Sequence, residues 1–367
     1  MQKTEHLTLA SNHFIYKGFS RYAVFKTKQG HHWFLPNEWG KILMNPAGFL
    51  ANELVHKLPS STQEEIQNDL MFLKRNGIID FVQNCIQDKP PVQKNVLDYF
   101  IDTCSVSIGK TINNQLISAL KTARIKTLEL HFLNKANIEK CIQAFSQLNF
   151  DSLKIFLNYD HTKRLNLNET IRKTAKLTAI RIINTPFTYS EICKQIEIKK
   201  LKDYSNHEFN VRMLEDEEHE NAHFYYNNRV HIDTSGAIKN SLHTATSFGN
   251  ILTNNISEVV QSEAFQEIWW ANKKNVDVCS DCELRAICLD RRPLIKRKNG
   301  TWYSNDVCNY NPYLGAFKGE SCYKPLQDCG IQSNKQGFKI LVDQFIAIKM
   351  NYATTSILLD TNLNLFY

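Results

Sequence analysis

No uninterrupted apolar run in this chain approaches the ~18 residues that a membrane-spanning helix requires, so the sequence offers nothing to cross a bilayer. Met1 to Phe14 mixes charged and polar residues with no apolar core, and the pattern of a secretory signal is absent from it. A charged tail is also lacking: 44 Lys and Arg oppose 37 Asp and Glu, and the formal +7 is spread along the chain. An excess that mild can meet an acidic peptide or nucleotide, but a plain solvated surface accounts for it more simply. The expectation is a reducing, cytoplasmic setting, where clustered cysteines act as metal ligands rather than disulfides.

What is present is a chain of 367 residues, 43% hydrophobic and 22% charged, long enough for two or three domains with their own cores. Its most pointed feature is the run Cys279-Ser280-Asp281-Cys282-Glu283-Leu284-Arg285-Ala286-Ile287-Cys288, with Cys308 beyond it. These four are among ten cysteines in the whole chain. A Cys-x-x-Cys knuckle presents two thiolates to one ion or cluster corner, and two more complete a four-thiolate site for zinc or a four-iron cluster. Zinc sites usually bring two close pairs, whereas Cys288 and Cys308 stand alone. The spacing therefore favours iron–sulphur, with zinc as the alternative.

Residues 1–84 read as one unit. Alternation over residues 12–35 predicts strands at Phe14-Ile15-Tyr16, Tyr22–Thr27 and His31–Leu35. His31 and His32 face opposite sides of a strand and make no metal site. Pro36 opens a helix over Glu38–Leu43, and Phe49–Leu58 reads as a second. Ser61 and Thr62 before Glu64-Glu65 start a third, which Gly77 stops, and Ile78–Val82 is a wing strand. This pattern predicts a winged-helix-like domain. Its third helix, over Gln63–Asn76, holds three acidic side chains against two basic ones, a poor surface for phosphate, so no nucleic-acid partner is expected. A strand edge at Val24–Thr27 or Trp33–Leu35, walled by Glu64–Lys74, would instead accept an extended peptide. Val24, Phe25, Trp33, Phe34, Leu70 and Lys74 are the candidate peptide-binding residues.

Residues 85–95, with Pro90-Pro91, read as a linker, and strand–helix alternation follows. Strands are predicted at Val96–Ile101, Thr127–Leu133, Leu153–Tyr159 and Leu177–Ile183, and helices at Ile112–Thr122, Ile138–Leu148, Asn168–Lys176 and Glu191–Leu201. That order implies an α/β fold around a parallel sheet, either a partial (β/α) barrel or an open sheet. The loop after the first strand, Thr103–Lys110, would carry any chemistry. It holds Cys104 and Lys110 but neither a Gly-rich phosphate loop nor three clustered cysteines, and Cys104 reads as a core residue. A hairpin turning at Thr234-Ser235-Gly236 follows, and Phe265–Asn272 is expected to carry Ile268, Trp269 and Trp270 toward the cysteines. Past residue 319, Phe338, Leu341, Val342 and Phe345 recur at helical spacing and predict an amphipathic helix. Whether Cys322 and Cys329 pair or join the metal site stays open.

Several of these stretches together resemble a known family. They are His231-Ile-Asp-x-x-Gly236-x-Ile-Lys-Asn240, Ser247-Phe-Gly-Asn-Ile251, Cys279-x-Asp-Cys-Glu-x-Arg-x-x-Cys288 and Cys308-x-Tyr-Asn-Pro-Tyr313. With Tyr16-Lys17-Gly18 and Leu35-Pro36-Asn37-Glu38, they resemble the SPASM-domain peptide maturases of the grasp-with-spasm system, over residues 10–318. The chain then divides into a leader-peptide-recognition domain (1–84), a degenerate radical-SAM-like α/β domain (85–225), a Cys-rich SPASM-like metal domain (226–318) and a C-terminal extension (319–367). The resemblance implies a role in maturing a ribosomally made precursor peptide, with an ATP-grasp ligase as partner. SPASM domains resemble one another in holding two auxiliary iron–sulphur clusters. Cys279, Cys282, Cys288 and Cys308 match one complete set, whereas Ser241, with His243 nearby, and Arg291-Arg292 stand where the other would have ligands. Radical SAM enzymes carry Cys-x-x-x-Cys-x-x-Cys after the first strand, where Cys104 is the only cysteine, so S-adenosylmethionine is not expected as a cofactor.

Two functional readings follow. The first is an accessory maturation protein with one four-iron four-sulphur cluster. The alternative is an enzyme acting directly on the peptide, through its metal site, Cys104 or Lys110. Four thiolates favour the first, and an open coordination position would favour the second. A metal-stabilised structural protein without a peptide partner is the third possibility.

Overall fold

Two small antiparallel sheets and three helices make the N-terminal unit of the computed structural model. The described residues are 6–11, 13–26, 32–50, 53–58, 61–82, 101–109, 114–133, 138–158, 174, 176–183, 190–193, 196–201 and 222–341. The elements β1 (His6–Leu9), β2 (His13–Lys17), β3 (Tyr22–Lys26), β4 (His32–Leu35) and α1 (Asn37–Leu43) come first. Then follow β5 (Phe49–Leu50), α2 (Leu54–Lys57), α3 (Gln63–Arg75) and β6 (Ile79–Val82). β2, β3 and β4 form the meander that alternation predicts, and β5, β1 and β6 form a second sheet. Phe49 and Leu50 pair with Leu7 and His6, so the helix expected to start at Phe49 is confined to Leu54–Lys57. The turn at Gly48, with φ +68, swings the chain back toward β1 and starts a strand there instead. α3 begins at a full capping box, Glu65 N–H to Thr62 Oγ1 and Thr62 N–H to Glu65 Oε2, and ends at Gly77 with φ +65. Leu7, Trp39, Ile42, Leu54, Leu73 and Ile78 share the core beneath these elements.

The central unit contains β7 (Ile101–Ile108), α4 (Asn114–Lys121), β8 (Ile125–Phe132), α5 (Ile138–Phe145), β9 (Ser152–Asn158) and β10 (Leu177–Ile183). β11 (Ser190–Cys193), β12 (Ile196–Leu201), β13 (Arg229–Ile232), β14 (Ala237–Lys239) and β15 (Gly249–Asn250) complete one nine-stranded sheet, ordered β11-β12-β10-β9-β8-β7-β13-β14-β15. β7 to β10 and β12 are parallel neighbours, so the chain advances one way across this mostly parallel sheet. The chain then crosses back, and β13 joins β7 in parallel on its other side, so the order reverses once, between β7 and β13. After β15 come α6 (Ile256–Gln261), α7 (Glu263–Gln266) and three two-stranded ribbons. These pair β16 (Ile295–Lys296) with β17 (Trp302–Tyr303), β18 (Tyr310–Asn311) with β19 (Ala316–Phe317), and β20 (Ile331–Asn334) with β21 (Gly337–Ile340). Among the described residues no helix is long and apolar enough to cross a membrane.

Three expectations need correction. Thr103–Ile108 is strand and not loop: Cys104, Val106 and Ile108 alternate with Thr103, Ser105 and Ser107, and Cys104 lies fully buried mid-strand, its thiol pushed up to about 12 by burial. The loop starts at Gly109, and Lys110 lies outside the described residues, as does most of the helix expected at Asn168–Lys176. Glu191–Leu201 is a β-hairpin, because Ile192, Ile196 and Ile198 fall on a period of two with charges between them. The segment around Phe338 is likewise a hairpin strand, paired Ile331 to Ile340 and Ser333 to Phe338, while residues 342–367 lie outside the described residues.

One face of the parallel sheet is apolar. Val106, Leu130 and Ile155 pack with Leu120 of α4 and Phe145 of α5, and this core continues without a break through Val230 to Trp269, Val276 and Cys279. The sheet therefore runs across residue 225, where sequence alone divides the chain. Ile268 and Trp269 are buried in it, whereas Trp270 is 59% exposed and does not face the cysteines. The other face is polar yet buried. The His231 ring lies 2.9 Å from Ser105 Oγ and 3.3 Å from Ser107 Oγ, and Glu129 accepts a hydrogen bond from Arg229 at 2.8 Å.

Two predictions come from this packing. A methyl group placed on Gly40 of α1 would sit 2.1 Å from the Tyr22 ring. Glycine to alanine normally strengthens a helix interior by ~0.5–1 kcal/mol, but overpacking of this kind costs ~1–3 kcal/mol. Gly40→Ala should thus lower stability in urea, and a stabilised variant would contradict the contact. Burial also lowers the imidazole of His13 to about 4, and those of His223 and His231 to about 3. The unfolded chain takes up these protons first, so the contribution is complete above pH ~6.5 and is lost as pH falls from there. Denaturant midpoints should fall between pH 7 and pH 5, and His231→Asn should flatten the fall.

Candidate metal centre

The knuckle is shaped by strain and packing. Val278 sits at φ +67, a region costly for a β-branched residue, and is held there against Tyr313, Cys329 and Ile331. The tight turn that follows, Cys279–Asp281, closes with Cys282 N–H on Cys279 O at 3.1 Å. Both thiols thereby line one cavity with Cys288 and Cys308, so the structure brings together all four cysteines picked out by spacing. None of the four is in a disulfide, and neither are Cys322 and Cys329. Burial raises every one of these four thiols, Cys279 and Cys288 to about 11, and mutual proximity adds to it: Cys282 feels Cys279, Cys288 and Cys308.

The surroundings suit thiolates. Tyr310 N–H donates to Cys308 Sγ and Arg292 to Cys279 Sγ, both at 3.4 Å. Lys273 and Arg292 are buried cations at the cavity, opposed by one buried carboxylate, Asp290. Lys273 donates to the carbonyl of Cys288. A net positive lining favours the anionic set that four cysteines make on binding a metal, so the donor set fits an iron–sulphur cluster.

The outer wall comes from the far end of the chain. Phe25 and Phe34 of the meander are buried against Leu284, Ile287 and Tyr310, with Cys282 and Cys308 at the edge of that contact. Glu283, beside Cys282, is wholly buried; it accepts Arg21 Nε at 2.7 Å and the Tyr310 hydroxyl, and Arg21 also reaches Tyr310 at 3.0 Å. The Arg21 guanidinium stacks 3.4 Å from the Phe34 ring centre. Phe19 N–H donates to Asp281 O at 2.7 Å, and Arg285 to Lys17 O at 2.5 Å. Gly18 is obligatory here: a methyl group on it would lie 2.6 Å from Glu283 Oε2.

The six candidate peptide-binding residues are not brought together. Val24 and Trp33 pair across β3 and β4 and lie in the helix-side core, whereas Phe25 and Phe34 face the metal wall. β3 is the central strand of its sheet and offers no edge, which corrects the expectation at Val24–Thr27. Leu70 is half-buried on α3, and exposed Lys74 lies over the Phe81 ring of β6. The helix stands beside β6, while Ile66 and Leu73 on its inner side share a core with Trp33 and Leu35.

Ser241 and Arg291-Arg292, where the sequence offers no second set of ligands, take part in local hydrogen bonds. Ser241 Oγ lies 2.9 Å from Thr244 Oγ1, and the Tyr226 hydroxyl donates to the carbonyls of Arg292 and Arg291 at 3.0 and 3.3 Å. The His231–Asn240 motif is likewise structural. Asp233 accepts from Ser235 N–H, Ala237 N–H and Lys239, and Gly236 takes φ +85. Sequence reasoning missed Arg21, Lys273 and Asp290. The available signal for Asp290 was charge directly after Cys288, in a stretch that must be buried if its cysteines are.

A prediction concerns the ion pair. Removing one partner of a buried pair typically costs ~3–5 kcal/mol, because the other charge is left uncompensated. Arg21→Met should destabilise by about that much, and Arg21→Met/Glu283→Leu by less than the sum of the single changes. Additive losses in urea titrations would show that the two side chains do not interact.

Residues 226–283 match the family model SPASM, an iron-sulfur cluster-binding domain, which includes Cys279 and Cys282 and implies iron–sulphur cluster binding. No curated protein matches the chain. The crystal structure of Streptococcus suis SuiB bound to S-adenosylmethionine aligns over 77% of this chain and 94% of that chain, at a TM-score of 0.34 and 10% identity.

Proposed function

We propose that this protein is an accessory factor in maturing a ribosomally synthesised peptide. It binds the precursor's leader through its N-terminal unit, holds one four-iron four-sulphur cluster on Cys279, Cys282, Cys288 and Cys308, and works with a separate ATP-grasp ligase. One observation carries the reading: four buried cysteines line a single cavity, next to a segment of SPASM type, and the putting-together of that cavity depends on the N-terminal sheet. The cluster supplies a one-electron centre and a four-point cross-link when bound. This chain's residues orient it: Val278 sets the knuckle, Arg292 and Tyr310 N–H donate to sulphur, and Phe25 and Phe34 keep water from that side.

Iron–sulphur is favoured over zinc by the spacing of the donors: zinc sites usually bring two close cysteine pairs, whereas Cys288 and Cys308 stand alone beside the Cys279–Cys282 knuckle around one cavity. Cleavage of S-adenosylmethionine is not part of the reading, because Gly109–Asn113 after β7 contains no cysteine. An enzyme working through the metal would need an open position, and four thiolates leave none. For the peptide, the edge beside α3 is β6, which pairs only with β1 among the described strands. Backbone pairing along Ile79–Val82, with an apolar anchor against Leu70 and Phe81, is the binding mode.

The test is anaerobic reconstitution of the full chain. Iron and sulphide near four each per chain are expected, with zinc alone as the contrary result. Cys282→Ser should lose the metal and melt earlier, since metal binding and folding of such sites are coupled. Titration with a synthetic leader peptide should show little dependence on salt, and Lys74→Glu with Leu70→Asp should weaken it at least tenfold. Unchanged binding would place the peptide elsewhere.

A further inference from the structure

We infer that Arg292, fixed by Asp290, is a built-in counter-charge that sets the reduction potential of the cysteine centre, with Lys273 as a second cation. The inference rests on the cluster reading above and adds residues that are not ligands. Arg292 is buried, with 6% of its surface exposed, and its whole guanidinium is committed. Nε donates to Asp290 Oδ1 at 2.8 Å and one terminal nitrogen to Oδ2 at 2.6 Å, a two-pronged pair. The other terminal nitrogen donates to Asp306 O at 3.1 Å. What remains points at sulphur: the nitrogen on Oδ2 also lies 3.4 Å from Cys279 Sγ.

A structural strut would need no such aim. Asp290 alone would be satisfied by a neutral donor, and burying an Arg–Asp pair is rarely the most stable solution for a core. Counting charges explains the choice. Four thiolates and a four-iron core with a charge of about +2 sum to about −2, and one-electron reduction makes that about −3. Lys273, Arg292 and Asp290 together contribute one net positive charge, held at the cavity by burial and hydrogen bonds. In a medium of low dielectric a fixed cation stabilises the more negative, reduced state preferentially, and an N–H···S hydrogen bond does the same. The electron enters without a proton, because Arg292 stays charged in both states. Position matters as well as charge: Asp290 holds the guanidinium in one orientation, so a lysine at 292 would keep the charge and lose the fork.

The experiment is a redox titration of the reconstituted full chain with dithionite and mediator dyes, followed by visible absorption and by electron paramagnetic resonance. Wild type, Arg292→Gln, Arg292→Lys and Asp290→Asn are compared at equal iron and sulphide content. Arg292→Gln should lower the one-electron equilibrium constant at least tenfold, a downward shift of about 59 mV, while Arg292→Lys stays within threefold of wild type. Asp290→Asn should broaden or shift the resonance signal as the guanidinium loses its orientation. Arg292→Gln within threefold of wild type at full cluster content would overturn the inference. If Arg292→Gln does not load iron, Arg292→Lys carries the test, and a tenfold shift there would overturn it. Failure of both to load would also overturn it and make Arg292 a strut. A wild-type chain that takes up no iron would instead defeat the cluster reading itself, before any variant is compared.

Discussion

A carboxylate with no exposed surface organises this protein. Glu283 follows the second cysteine of the knuckle, and its charge is tolerable only because Arg21, some 260 positions earlier in the chain, is brought onto it. Burying an unpaired carboxylate costs several kcal/mol, more than most single contacts return, so the pair sets a condition on everything near it. The turn from β2 to β3 must come close enough for Gly18 to touch the carboxylate, Tyr310 must offer its hydroxyl, and Phe34 must lie flat under the guanidinium. Cys282 and Cys308 are placed as by-products of that assembly, since Cys282 directly precedes Glu283 and Cys308 lies two residues before Tyr310.

The cavity so formed is not self-sufficient. Its thiols are pushed up by burial and by one another, and Lys273 and Arg292 are cations without enough anions near them. Both imbalances have the same remedy, the loss of thiol protons to a bound metal. Val278 belongs to the same logic: a strained residue directly before the first cysteine persists because the β20–β21 hairpin packs under it. Residues 326–340, read from sequence as part of a separate extension, therefore belong to the support of the site.

What was legible in the sequence was what depends on short spacing. The four cysteines, the capping box at Thr62, the stop at Gly77 and the turn at Gly236 each rest on a few neighbouring residues, and all are found. What was not legible depends on partners far away. β7 alternates Thr103, Ser105 and Ser107 with Cys104, Val106 and Ile108, and the polar half reads as loop until His231 is known to lie beside it. Ile196-Glu-Ile-Lys fits a helix or a strand equally, and pairing with β10 decides for the strand. Arg21 carries no local signal, because Glu283 and Tyr310, the side chains it hydrogen-bonds, lie more than 250 positions away.

The aromatic residues of the meander show how one pattern can support two different conclusions. Alternation along β3 and β4 sends Val24 and Trp33 one way and Phe25 and Phe34 the other. A free recognition domain would keep its outward face polar, since an antiparallel sheet can leave one face in water. Here the outward face is aromatic and covered by Leu284, Ile287 and Tyr310, so the N-terminal unit is docked on the cysteine-bearing segment. A peptide that inserted between them would have to break the Arg21–Glu283 pair. One that added to β6 would find backbone groups beside α3, on the far side of the N-terminal core from the cysteines. On the proposed reading, recognition would use the β6 edge and metal binding the aromatic face of the same small unit, with the close-packed N-terminal core between them.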